Sequence, residues 1–277
     1  MIWFFLPFVY LLHTRLKTKF ELISWQIIFF VPQLIITYYY LDIRSNIFIH
    51  LFLISQLIFY SIYETGYIQN DIVTTKKEKK PTIRLNKKNF IFVAKNYFKL
   101  IYFRYFIALF FLSVMYWLDT FTSYNLKLLN FVLVLTLTKI IFYIHNSIRN
   151  RFTIITYFLL SILKYSFPII LFINFDKLIY PLIITIMIFP VLRVIEVTTL
   201  NRYKYKSFKK LIGNIDKFRI LYYFVFFVGI VTTKLFFGGN IDFYLSISII
   251  LYFLFFRIAC FYLVKHQIYK RDEAKKN

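Results

Sequence analysis

The sequence predicts an all-α integral membrane protein, a bundle of about eight transmembrane helices with a short N-terminal interfacial helix. Two observations predict it. Of the 277 residues 60% are hydrophobic, and they gather into eight runs near the roughly 20 residues that a helix needs to cross a bilayer. The connections between those runs also alternate in charge, as membrane loops do. With Phe 37 and Tyr 24 against Gly 5, the apolar mass is bulky, and its runs are too long and too frequent for a soluble core.

In chain order, Met1 to Leu12 is apolar but short for a span, and it lacks a basic n-region and a small-residue cleavage site. It reads as an interfacial or half-inserted helix with Trp3 and Tyr10 at the headgroup boundary and Arg15, Lys17 and Lys19 in water. Spans are expected near 22–41, 46–66, 99–118, 126–146, 152–174, 178–196, 218–236 and 243–264, all within one polytopic domain over residues 1–277. Pro168, Pro181 and Pro190 should bend the fifth and sixth spans.

Charge orients this layout. One side carries three Lys or Arg in 13–21, nine in 67–99, two in 145–151, eight in 193–219 and five in 265–277, and the other carries only Arg44, Lys127, Lys177 and Lys234. The positive-inside rule then places both termini and the two long loops, 67–98 and 197–217, in the cytoplasm. A bacterial inner membrane is the expected location. The formal net charge of +23 sits between spans rather than on a soluble face, so anionic lipid headgroups, not nucleic acid, are the expected partner. A single Cys260 excludes an intramolecular disulfide, and His13, His50, His145 and His266 lack zinc-ligand spacing.

Four cations fall inside predicted spans, namely Arg104, Lys139, Lys164 and Arg257. A buried cation costs at least ~2.5 kcal/mol at a helix centre on insertion scales, and no acid falls in the central part of any predicted span. Arg104 is expected to snorkel to the nearby interface. Lys139 divides between snorkelling and a ligand role. Lys164 and Arg257 lie deeper and are expected to bind the anionic part of a substrate.

Chemistry concentrates in Glu64-Thr-Gly-Tyr-Ile-Gln-Asn70-Asp71-Ile-Val-Thr74, continuing through Glu78 and Pro81 to Arg84. Glu64, Asp71 and Glu78 are seven residues apart, about two turns, so a helix running past the membrane boundary puts them on one face. Such a row of hard oxygen ligands suits Mg²⁺ and a diphosphate. The plainer reading is that these acids balance the lysines of the loop.

Asn70-Asp71 at the end of the second span, with an acid eight positions after the Asn and then Pro81 and Arg84, resembles the first aspartate-rich motif of the UbiA-type intramembrane prenyltransferase superfamily. Thr74 stands where that motif has its middle Asp, and Glu78 replaces its last. The region of the second motif holds Arg193, Glu196 and Tyr205-x-x-x-Lys209, similar to a Tyr-x-x-x-Lys variant. The resemblance implies a helical bundle that binds a polyprenyl diphosphate or phosphate lipid. It makes Asn70, Asp71 and Glu78 Mg²⁺ ligands, gives Asp71, Glu78 and Glu196 catalytic roles, and suits Glu64, Asn70, Arg84, Arg193 and Lys209 to binding substrate; the charge argument adds Lys139, Lys164 and Arg257 to that set independently of the resemblance. Prenyl transfer to an unknown acceptor is the implied reaction, and sugar-phosphate or phosphoribosyl transfer to a polyprenyl phosphate is the alternative. An anion or lipid transporter and a non-catalytic membrane protein also remain open.

Overall fold

The computed structural model describes residues 2–41, 46–77, 84–122, 124–148, 150–238 and 242–268, and every regular element among them is a helix. Eight helices are long and apolar enough to cross a membrane: Lys19–Tyr39, Ile47–Thr74, Tyr97–Phe121, Leu128–Ser147, Thr153–Phe172, Phe175–Thr198, Ile215–Phe236 and Asp242–Lys265. The protein is an all-α membrane bundle. Each expected span is found, and the second runs eight residues beyond its expected end at 66.

Local chemistry sets several of these starts. Helix α2 (Lys19–Trp25) opens on a capping box: Thr18 Oγ1 accepts from the Glu21 N–H at 3.1 Å, and Glu21 Oε2 accepts from the Thr18 N–H at 3.1 Å. Asn86 caps α5 (Lys87–Lys95), and Asn214 caps α12 (Ile215–Phe237). In each, the side-chain oxygen takes up a backbone N–H that the first turn leaves without a partner inside the helix.

The described residues form two compact units, Met1–Pro181 and Leu182–Asn277. In the first, α4 (Ile47–Gln69) is central and the most deeply buried span. It packs against α1 (Val9–Thr14), α6 (Tyr97–Thr122), α7 (Leu128–Ser147) and α8 (Thr153–Phe172), while α3 (Val31–Tyr39) packs on α8. Small and polar residues ease those approaches: Ser55, Ser61 and Gly66 on α4 are buried. Pro168, inside α8, has no N–H for the Lys164 carbonyl four residues back. Gln33 Nε2 supplies the missing donor, at 2.8 Å to Lys164 O and 3.0 Å to Tyr165 O, and Gln56 Nε2 in turn donates to Gln33 Oε1 at 3.1 Å.

In the second unit α12 packs along α13 (Asp242–Lys265), and α10 (Leu192–Thr198) packs on α12. Tyr223 and Phe253 stack across α12 and α13 with ring centroids 5.3 Å apart. Pro190 lies in a π-helical turn, Met187–Val191. Tyr222 and Tyr223 donate to the Met187 and Ile188 carbonyls at 2.5 and 2.8 Å. The hydroxyls thus serve carbonyls of the widened turn, in a medium that offers no water.

The N-terminal segment departs from its expectation in part. Trp3 is exposed, as an interfacial residue should be, but Phe4, Tyr10 and Leu11 are buried. This segment folds onto α4 and α6, so these side chains meet protein rather than headgroups. The turn at Phe8, with φ of 68°, carries the reversal, and the Phe8 ring lies 4.5 Å from that of Tyr60.

Candidate functional site

Span two continues through a π-helical turn, Asn70–Thr74, and this wide turn carries the Asn-Asp pair. π turns swell the helix by one residue and re-aim the side chains on it. Asp71 on this turn faces Tyr10 and Arg15 at the N-terminal segment and Arg84 before α5. It is buried, with 4% of its side chain exposed.

Its carboxylate is crowded with donors. Oδ2 accepts from Tyr10 Oη and Arg15 Nη1, both at 3.0 Å. Oδ1 accepts from Arg84 Nη1 at 3.0 Å, Arg15 Nη2 at 3.1 Å and Asn70 Nδ2 at 3.2 Å. Arg15 makes a bidentate fork, and the Tyr67 ring, 4.5 Å from its Cζ, lies under the guanidinium. Burial pushes the Tyr10 hydroxyl well above the ordinary phenol range, and the Asp71 charge adds to this, so Tyr10 remains a donor. Burial lowers the pKa of Arg84, and the neighbouring Arg15 charge lowers it further against the pull of Asp71.

A carboxylate offers about four lone-pair sites, and here they meet five donors. A Mg²⁺ ion needs oxygen ligands at about 2.0–2.1 Å in octahedral array, and it would have to displace the guanidiniums to reach Asp71. No group of three or more His, Cys, Asp or Glu is placed to hold a metal among the described residues. Those residues do not fit a resident Mg²⁺ at Asp71. Glu78, Lys79 and Pro81 lie outside the described residues.

Glu64 and Asp71 share a helix face, as their spacing predicts, but Glu64 does different work. Its Oε1 accepts the Leu11 N–H at 2.7 Å, and its Oε2 lies 2.8 Å from Arg104 Nη1, with both side chains fully buried. Arg104 therefore neither snorkels nor lacks an acid at its own depth. Glu64, about one and a half turns before the end of α4 at Gln69, supplies the counter-charge because α4 and α6 pack closely. Arg104 Nη2 also donates to the Phe4 carbonyl at 3.0 Å. The 2.8 Å contact is held by charge rather than by aligned hydrogen bonds, since Nη1 and Oε2 have no hydrogen-bond partner among the described residues.

No protein-family model, curated protein or solved structure matches the chain. The remaining expected residues are placed by their own contacts. Lys139 Nζ donates to Thr65 Oγ1 at 3.0 Å. Lys164 is half-buried, with Nζ 4.6 Å from the Phe29 ring centroid and within 6.0 Å of the Tyr60, Tyr63 and Tyr165 rings.

In the second unit Glu196 is bound by Arg193 at 2.6 Å and by Arg219 Nε at 2.5 Å, and Arg219 Nη1 reaches Asp216 at 2.9 Å. Arg257 is buried there, and its Nε has no hydrogen-bond partner among the described residues. Lys209 stays exposed and donates to Asn201 Oδ1 at 2.7 Å. Glu196 thus lies between guanidiniums, as Asp71 does.

Sequence reasoning did not find Tyr10, Arg15, Arg219 or Asp216. Arg15 and Asp71 are 56 positions apart, and nothing in spacing or period links them. Arg219 had a local signal, an acid three residues before it at Asp216.

Proposed function

We propose that the chain is an intramembrane transferase acting on a polyprenyl phosphate or diphosphate lipid, with prenyl transfer as its reaction. The observation that carries this reading is the Asn70-Asp71 pair at the end of the second span beneath Arg15 and Arg84, two cations against one acid. A lipid phosphate complements that surplus charge, and the long apolar spans suit its isoprenoid tail. The resemblance of the same two residues to the UbiA-type motif points to the same substrate class. Lipid extracted from the purified protein and read by mass spectrometry tests it. A polyprenyl phosphate or diphosphate is expected in amounts comparable to the protein, and bulk phospholipid alone would sink the proposal.

A second reading, transfer of a sugar phosphate or phosphoribosyl group to a polyprenyl phosphate, is favoured by the loop after the sixth span. Arg202, Lys204, Lys206, Lys209 and Lys210 are all exposed there, more positive charge than one lipid headgroup calls for. A soluble, multiply phosphorylated donor would use it.

Both readings place the site at the cytoplasmic face. With Cys260 replaced by Ser, single cysteines at positions 88 and 206 should both react with a membrane-impermeant maleimide only after the membrane is opened. Labelling of one of them in intact cells would put the two loops on opposite sides and overturn the layout.

A further inference from the structure

We infer that Arg15, Asp71 and Arg84 form a metal-independent recognition site for a phosphate or diphosphate group, in which Asp71 positions the guanidiniums and does not bind a cation. The first ground is charge. Two guanidiniums share one carboxylate, and the nearest buried acid, Glu64, is committed to Arg104. One positive charge at the cluster is left uncompensated among the described residues.

The second ground is donor capacity. An arginine carries five N–H donors. Arg15 gives two to Asp71, and Arg84 gives one. The rest are not sealed off, since 18% of the Arg15 side chain and 31% of the Arg84 side chain are exposed. Two planar forks held by one carboxylate, with open N–H groups, match the bidentate geometry of phosphate oxygens.

The third ground is that the arrangement is unfavourable without a second anion. One arginine already satisfies the carboxylate bidentately, and bringing a second into a partly buried place adds desolvation and like-charge repulsion. The lowered pKa of Arg84, caused by burial and then by Arg15, registers both. The chain nevertheless converges three segments to build the cluster: the N-terminal helix end, the π turn of span two and the stretch before α5. Lys76, Lys87 and Lys88 flank these segments and add to the attraction of anions.

The inference rests on the proposed function only for the lipid, so its test uses two ligands, inorganic pyrophosphate in solution and farnesyl phosphate in detergent micelles. Binding to the purified full-length protein is measured by titration calorimetry with EDTA and again with excess Mg²⁺. Pyrophosphate is expected to bind in EDTA with a Kd within about three-fold of that in Mg²⁺. Arg84→Gln should weaken it by at least about ten-fold, the loss of a charge-assisted contact, and Arg84→Lys should fall between. Recovery in Arg84→Lys also shows that the fold survives changes at this position.

Binding that appears only with Mg²⁺, is lost in Asp71→Asn and is unchanged in Arg84→Gln would overturn the inference. So would failure of pyrophosphate and farnesyl phosphate to bind under either condition. If farnesyl phosphate binds equally to parent and Arg84→Gln, the arginine site is refuted while the lipid reading stands. If pyrophosphate binds as expected and farnesyl phosphate does not, the anion site stands and the lipid reading fails.

Discussion

Arg104→Met is expected to destabilise the folded protein by about 3–5 kcal/mol, the range found when one member of a buried ion pair is removed. Methionine fills much of the arginine volume, so the loss comes from charge. Glu64 has no exposed surface in its side chain, and without Arg104 it keeps only backbone donors such as the Leu11 N–H at 2.7 Å. Without Arg104 the carboxylate must either stay charged in a dry site or take up a proton. The Phe4 carbonyl also loses its donor. Since Leu11 and Phe4 both belong to the N-terminal segment, that segment should loosen first. Unfolding titrations in detergent, with protease sensitivity near residues 2–15, measure both effects. The double variant Glu64→Gln/Arg104→Met should recover part of the loss, because neither buried charge is then orphaned. A fully additive double variant would show that the pair contributes nothing as a pair.

Gly66→Ala is expected to cost about 1–3 kcal/mol, the usual penalty of overpacking. A Cβ at Gly66 would lie 2.3, 2.4 and 2.6 Å from Cγ, Cδ1 and Cδ2 of Phe142, which is the root of the ring rather than a flexible tip. The ring has little room to yield. Tyr63 stands 4.7 Å from it and Tyr67 5.8 Å, and Asn146 Nδ2 holds the Gly66 carbonyl at 3.1 Å. Helices α4 and α7 would have to part, and α7 also packs on the Asn70–Thr74 turn. Gly66→Ala should therefore lower the thermal unfolding midpoint and also displace Asp71. Phe142→Leu, introduced into the Gly66→Ala protein, should restore much of the midpoint. No change in the midpoint of Gly66→Ala would mean that α4 and α7 approach less closely than described.

The sequence by itself determined the architecture, because a bilayer imposes a simple rule. Backbone groups in lipid must be satisfied within the segment, so a run of about 20 apolar residues is a helix. All eight spans follow from that rule, with boundaries moved by caps such as Thr18 and Asn214. The shared face of Glu64 and Asp71 was legible for a related reason, since seven residues make about two turns of a continuous helix.

The tertiary structure alone decided what those acids do. A carboxylate is the same chemical group whether it holds a cation or a guanidinium, and local spacing cannot say which partner arrives. Arg15 reaches Asp71 across 56 positions and Arg84 across 13, and Arg104 meets Glu64 only because α6 packs on α4. Those pairings depend on helix packing and on the turn at Phe8 that folds the N-terminal segment inward. Hydropathy and charge counts carry none of that information, because they register which residues leave water and not which of them meet.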